Sequence, residues 1–184
     1  IIVGQVLDQL PLPKTGKLHV LDAGCGTGLC APLLQPFAEV LHGCDLSVGM
    51  RNESRKKGCY TLLTRSDLSS IGTLPPGPFD LIVTSDVLVY FGDLAEVFRN
   101  FARISRPGGW LIVTVEDAGD PGPAQGWTLD VSGRHRHTLT YLKSALAKAG
   151  YSAPRHVVQA TLRREMGVPV PGIGFATQRL SLVL

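Results

Sequence analysis

Asp22 stands ahead of three glycines, Gly24, Gly26 and Gly28, in the stretch VLDAGCGTG from Val20 to Gly28. Glycine lets a backbone turn sharply and lets a ligand approach it closely. The spacing here is G-x-G-x-G, which differs from the G-x-G-x-x-G that aims a helix N-terminus at a pyrophosphate. An acid ahead of such a loop suits a ligand ammonium, and the loop's backbone N–H groups suit a ligand carboxylate. Asp45 closes the next apolar stretch, where a carboxylate can accept two hydrogen bonds from ribose hydroxyls. That feature is shared with dinucleotide-binding proteins and does not discriminate. Asp67, in Arg65-Ser66-Asp67-Leu68, can accept a hydrogen bond from an adenine 6-amino group. Two acids after two consecutive strands, added to the glycine loop, fit S-adenosylmethionine. That molecule carries an ammonium, a carboxylate, a ribose and an adenine but no phosphate. The glycine spacing and Asp67 argue against the rival reading, an NAD-linked oxidoreductase.

Other residues offer chemistry with less context. Glu116 ends the fifth apolar stretch and is expected to face the cleft, where it could accept a proton or orient a substrate. His135 and His137 follow it, and a histidine of near-neutral pKa can act as a base. Tyr90 and Phe91 fit a substrate pocket as well as a core beneath the next helix. Glu116, His137 and Tyr90 are therefore the candidates for a catalytic role, with structural roles as their alternatives. Arg163 and Arg164 suit an anionic substrate group or a solvated strand edge. The four cysteines, Cys25, Cys30, Cys44 and Cys59, form no Cys-x-x-Cys pair, and no histidine cluster has zinc-ligand spacing, so no metal site is expected. Cys25 and Cys44 read as small packing residues, and free thiols fit a reducing cytosol.

These residues need a scaffold, and hydrophobic periodicity supplies one. Ile1 to Leu10 has helical spacing and stops at Pro11. Leu18 to Leu21 reads as a strand, followed by the glycine loop and a helix through Leu34 in which Pro32 is tolerable in the first turn. Val40 to Cys44 and Tyr60 to Thr64 read as strands, with a polar helix over Val48 to Lys57 between them. Phe79 to Ser85, centred on Leu81-Ile82-Val83, has the continuous apolar character of a buried parallel strand. Asp93 and Glu96 suggest a capping box for a helix with Leu94, Val97, Phe98 and Phe101 inward. Trp110 to Val115 is a fifth strand, and residues 117–137 are Gly/Pro-rich without periodicity. Thr140 to Ala149 is a helix ended by Gly150. His156 to Arg163 and Phe175 to Leu184 suggest a terminal antiparallel pair around a Gly/Pro-rich turn. The alternation predicts an α/β fold: a Rossmann-like open sheet of about seven strands, mostly parallel with a C-terminal antiparallel strand, helices on both faces and ligands at the strands' carboxyl ends.

Bulk properties fit one compact domain over 1–184. The chain has 184 residues, 44% of them apolar and 18% charged. A formal net charge of +3, with its one basic run at Arg51 to Lys57, argues against a nucleic-acid footprint. No apolar run approaches a membrane span or a signal peptide, so a cytoplasmic location without membrane contact is expected. The oligomeric state is not legible.

Over essentially its whole length the chain resembles class I S-adenosylmethionine-dependent methyltransferases. The residues that carry the likeness are VLDAGCGTG at 20–28, GCDLSVGM at 43–50, RSDL at 65–68, FDLIVTSDVLVYFGDL at 79–94 and RPGGWLIVTVE at 106–116. More narrowly, DVLVYFGDL, SGRHRHT at 132–138 and LRREMGVPVPG at 162–172 resemble bacterial methyltransferase domains associated with tetratricopeptide repeats. The resemblance implies that Asp22, Gly24, Cys25 and Gly26 line the methionine part of the cofactor. Asp45, Leu46 and Met50 would hold the ribose and one adenine face, Asp67 and Leu68 the adenine edge, and Ser85 the methionyl group. It also implies a longer N-terminal helical lid over the cofactor, which is expected to be missing, truncated or disordered here, with 117–137 on the substrate side. The acceptor would be a small molecule or a carrier-bound group, taking the methyl by in-line displacement. A catalytically silent cofactor- or partner-binding module would carry the same motifs.

Overall fold

The computed structural model describes residues 2–119 and 121–181. Strands β1 (Leu18–Ala23), β2 (Ala38–Asp45), β3 (Leu62–Arg65), β4 (Phe79–Thr84) and β5 (Ser105–Asp117) lie parallel in the order β3-β2-β1-β4-β5. On the other edge of β5, β9 (Val168–Gln178) runs antiparallel, and β8 (Arg155–Glu165) runs antiparallel to β9. These seven strands are the expected ones of a nine-stranded sheet, and among them β9 alone is reversed. Helices α1 (Ile2–Leu7), α2 (Ala31–Leu34), α3 (Val48–Arg55), α4 (Ala95–Ile104) and α5 (Leu139–Lys148) flank it.

The two faces of the sheet make two cores, because successive strand residues point to opposite sides. Leu21, Ile82, Leu111 and Val113 pack with Phe98 and Phe101 of α4 and Leu142 and Leu146 of α5. Val20, Leu81, Val83 and Ile112 pack with Leu34, Phe37 and the apolar face of α1, Ile2, Val3, Val6 and Leu7. Burial on both faces explains the unbroken run Leu81-Ile82-Val83, all fully buried. The strand order reverses between β1 and β4, which opens a crevice at their carboxyl ends.

Besides small shifts of element ends, such as β3 beginning at Leu62 and not at Tyr60, the structure departs from the sequence reading in four places. First, α1 ends at Leu7 although Leu10 is still buried, and Ile1 lies outside the described residues. Second, residues 117–137 are not structureless: β6 (Trp127–Leu129) and β7 (His135–His137) form a hairpin. Glu116 faces Gly172 of β9 on one edge and Arg136 of β7 on the other, so β7 extends the row that β4 leaves at Thr84. Third, the Gly/Pro-rich stretch after β8 is mostly strand, and the reversal takes place at Met166-Gly167. Pro169 and Pro171 sit where β9 has outrun β5 and pairs only with β8, an edge position where a strand tolerates a proline. The expected span of the last strand runs to Leu184, and its final three residues lie outside the described ones. Fourth, Glu96 pairs with Arg99 at 2.5 Å instead of returning to cap α4, while Asp93 accepts the N–H of Ala95 at 2.9 Å. Among the described residues no helix is long and apolar enough to cross a membrane.

Candidate functional site

The loop after β1 bends back on the end of β2. Gly24, Gly26 and Gly28 all have positive φ, at 75°, 53° and 80°. Gly24 and Cys25 donate their N–H groups to the carbonyl of Cys44 at 2.8 and 2.9 Å, and Gly26 donates to Asp45 Oδ2 at 2.9 Å. Gly28 donates to the carbonyl of Cys25. Three of these donors tie the loop to the end of β2 and the fourth closes it on itself, so these four are engaged within the chain, where the sequence reading has the loop's N–H groups meet a ligand carboxylate. What Gly24 supplies is clearance: a Cβ there would lie 2.5 Å from Val87 Cγ2, so only glycine lets the segment after β4 close on the loop.

Beside this loop lies a cleft of about 640 Å³. All ten sequence-predicted cofactor residues line it: Asp22, Gly24, Cys25, Gly26, Asp45, Leu46, Met50, Asp67, Leu68 and Ser85. Tyr90 also lines it, largely exposed at the rim. Phe91, offered with Tyr90 for a substrate pocket, lines it as well, whereas sequence reasoning missed Thr27, Leu29, Cys30, Ser47, Ser66, Asp86 and Val87. Their proximity follows from loop geometry, and only adjacency to a named motif residue could have signalled them.

The three carboxylates have different surroundings. Asp22 is buried on β1, and its Oδ2 accepts the Tyr60 hydroxyl at 2.6 Å. Burial pushes its carboxyl up to about 6; the Tyr60 hydrogen bond opposes this and the nearby Asp45 adds to it. Asp45 accepts from Gly26 N–H on Oδ2 and from Ser47 N–H on Oδ1 at 2.8 Å. Each oxygen keeps a lone pair for a further donor. Asp67 takes the Ser69 N–H at 2.9 Å and its hydroxyl at 2.6 Å on Oδ1, leaving Oδ2 without a partner among the described residues. Those two Ser69 bonds, the hydroxyl's first, hold its carboxyl below the usual range. Burial pushes the Cys25 and Cys30 thiols up to about 12, which leaves them protonated and poorly nucleophilic.

Glu116 and His137 do not reach the cleft. Glu116 is buried, accepts a hydrogen bond from Arg163 and has Arg136 Nε at 3.4 Å, within ion-pair range but too misaligned to bond. Arg163 continues to Asp86 at 2.6 Å and to Glu165 at 2.7 Å, and Arg134 pairs with Glu165. Arg163 is thus engaged by three carboxylates. His137 is fully buried, donates from Nε2 to the Gly92 carbonyl at 2.9 Å and stacks on Tyr141. Together His137 and Tyr141 pin residues 92–94, the foot of the segment that carries Tyr90. Among the described residues no cluster of His, Cys, Asp and Glu could hold a metal ion.

Known proteins share this fold. A family model described as a methyltransferase domain matches residues 3–154. The ubiquinone biosynthesis O-methyltransferase of Thiobacillus denitrificans is 33% identical over 106 residues, which cover 54% of this chain and 44% of that one. The malonyl-[acyl-carrier protein] O-methyltransferase of Serratia marcescens is 26% identical over 145 residues, covering 79% and 56%. The chain spans about half the length of the curated relatives it matches. An S-adenosylmethionine-dependent methyltransferase from Mesorhizobium loti superposes with TM-score 0.71 and 26% identity over 91% of this chain and 94% of that one. Magnesium protoporphyrin IX methyltransferase from Synechocystis shares the fold at TM-score 0.68 and 21% identity, over 97% and 76%. With the family model running from α1 through every strand that borders the cleft, the chain belongs to the methyltransferase domain family.

Proposed function

We propose that the chain binds S-adenosylmethionine in this cleft and transfers its methyl group to a small-molecule or carrier-bound acceptor. One observation carries the reading: carboxylates at or just beyond the ends of β1, β2 and β3 line one cleft, each with capacity left for a donor. The residues fit the cofactor on the structure's own terms. Asp22 is a buried acid whose ionised form needs a cation, and the ligand's ammonium is one. Asp45 has lone pairs for two ribose hydroxyls, and Asp67 Oδ2 has one for the adenine amino group, between the apolar Leu46, Met50 and Leu68.

When bound, the cofactor supplies an activated methyl on a sulfonium, with a neutral leaving group. The protein's task is alignment, and holding two reactants in line contributes ~7–11 kcal/mol in favourable cases. Ser85, Val87 and the rim residues Tyr90 and Phe91 bound the side of the cleft left for an acceptor. Asp86 is the carboxylate on that side, its backbone fixed by donation to Thr114 Oγ1 at 3.0 Å. The names of the two relatives, one from ubiquinone biosynthesis and one acting on malonyl-acyl-carrier protein, support the acceptor class. The three stretches behind the likeness to repeat-associated domains meet in one place, through Arg163 with Asp86, Arg134 with Glu165 and His137 with Gly92. Four free thiols support a cytoplasmic location.

Calorimetry with S-adenosylhomocysteine and with NADH tests the reading. Binding of the first alone is expected; binding of NADH alone would refute it. Asp45→Ala should weaken S-adenosylhomocysteine by ~1–3 kcal/mol through lost charged hydrogen bonds, and unchanged affinity would remove Asp45 from the site.

The raised carboxyl of Asp22 sets a pH dependence. Between its ordinary 3.8 and about 6 the folded chain holds a proton that the unfolded chain has released. Asp22 therefore lowers the stability of the ligand-free protein as pH rises through that window. A bound ammonium favours the ionised form, so affinity should be level above about pH 7 and fall as pH drops through 6. Titrations at pH 5.5 in two buffers of different ionisation enthalpy should show a proton released on binding. No release would sink the Asp22–ammonium pairing.

A further inference from the structure

Tyr60 belongs to no motif and does not line the cleft. Its ring is nonetheless fitted with care. A Cβ on Gly43 would lie 2.7 Å from Tyr60 Cε1, and one on Gly28 would lie 3.1 Å from its Cε2. Two glycines, one on β2 and one closing the nucleotide loop, thus make room for one aromatic ring just ahead of β3. The ring carries its hydroxyl behind β1 to within 2.6 Å of Asp22 Oδ2. Among the described residues this is the one hydrogen bond that the buried Asp22 carboxylate accepts. A carboxylate offers about four lone-pair positions, so a single donor at its back fixes its orientation and leaves the other oxygen for a ligand.

We propose that Tyr60 is a positioning residue for the cofactor: by holding Asp22 Oδ2 from behind, it turns the other carboxylate oxygen toward the ammonium of the methionine moiety. This rests on the cofactor reading above. The bond also stabilises the charged form of Asp22 against its burial. The remaining groups that face Asp22 are Asp45 at the end of β2 and the thiols of Cys25, Cys30 and Cys44. The thiols are pushed up to about 12 and stay neutral through the working range, and Tyr60 itself stays protonated. Asp45 is a second negative charge that makes a donor on Asp22 more necessary.

Tyr60→Phe removes the hydroxyl and keeps the ring between Gly28 and Gly43. Calorimetry would compare wild type and variant from pH 5.5 to 8.5 with two probes: S-adenosylhomocysteine, and 5′-methylthioadenosine, which lacks the amino-acid group. The variant should bind S-adenosylhomocysteine about tenfold more weakly at pH 7, and the pH at which its affinity falls should rise from about 6 to about 7. Affinity for 5′-methylthioadenosine should stay within about twofold. An equal loss for both probes, or an unmoved pH profile, would overturn the positioning role while leaving the cofactor reading standing. Failure of the wild type to bind S-adenosylhomocysteine at any pH would overturn both. Should Tyr60→Phe unfold, the Asp22→Asn background supplies the second arm, because with no buried charge left at position 22 the loss of the Tyr60 hydroxyl no longer strands one. Added to Asp22→Asn, the Tyr60→Phe change should cost no selective S-adenosylhomocysteine affinity, and a persistent selective loss would refute the coupling.

Discussion

Gly24→Val is expected to weaken S-adenosylhomocysteine binding about 100-fold or more, equivalent to ~3 kcal/mol. Two costs add at this position. The backbone has φ +75°, which a β-branched residue adopts only with strain. The new Cβ would also meet Val87 Cγ2 at 2.5 Å and Val87 Cβ at 2.7 Å. A rotamer change removes only the first of these contacts, since the Cβ of Val87 is fixed by its backbone. Relief must come from moving either the loop at 24–26 or the segment at 85–87, and both line the cleft. Gly24→Ala should show an intermediate loss, with circular dichroism at the assay temperature confirming that the variant is folded. An S-adenosylhomocysteine Kd within about threefold of wild type for the valine variant would mean that this loop does not shape the ligand site.

The second large effect is on stability. Glu116→Ala should destabilise the domain by ~3 kcal/mol, in the range for breaking a buried ion pair on one side. Glu116 is buried with Arg163 bonded to one oxygen and Arg136 within ion-pair range of the other, and the alanine removes their shared carboxylate, leaving Arg163 with Asp86 and Glu165 and Arg136 with Asp130. For a domain of this size that corresponds to a melting temperature lower by about 6–12 °C. Glu116→Gln, which keeps the shape and one acceptor, should lose less. Because Glu116 does not line the cleft, S-adenosylhomocysteine affinity measured well below the transition should be unchanged. A melting temperature within about 2 °C of wild type would show that the cluster contributes nothing to folding. A normal melting temperature with lost ligand affinity would return Glu116 to the site.

The contrast between Glu116 and Asp45 shows what the sequence makes legible. Asp45, Asp67 and the glycine loop follow apolar strands at short range, so strand assignment alone puts them at the carboxyl edge near the reversal of strand order. Glu116 also ends a strand, but β5 has partners on both edges at that level, Arg136 on one side and Gly172 on the other. Its environment is set by β7 and β9, whose pairing depends on residues twenty and more positions away. The same long-range dependence hides the hairpin in 117–137, where two three-residue strands are too short to show a period. Pro169 and Pro171 mislead for a different reason. They report a one-sided edge of a strand, which local composition cannot tell from a turn. Tyr60 is invisible in the sequence because the glycines that admit it lie on two other elements.

Asp117 and His137 are paired across β5 and β7, and Ala118 donates its N–H to the carbonyl of His137 at 3.1 Å. The two ends of the intervening segment therefore already touch. In polymer terms, lengthening a loop so closed costs little, about 0.6 kcal/mol for each doubling. The neck at 117 and 137 is a natural splice point. Sequence between Gly119 and Gln125, or at the 130–133 tip, can be exchanged for longer or chemically different loops while β1 to β5 keep their register. No described residue of 117–137 lines the cleft, so a library of such grafts would leave the cleft constant. This gives the fold a replaceable loop outside its ligand cleft.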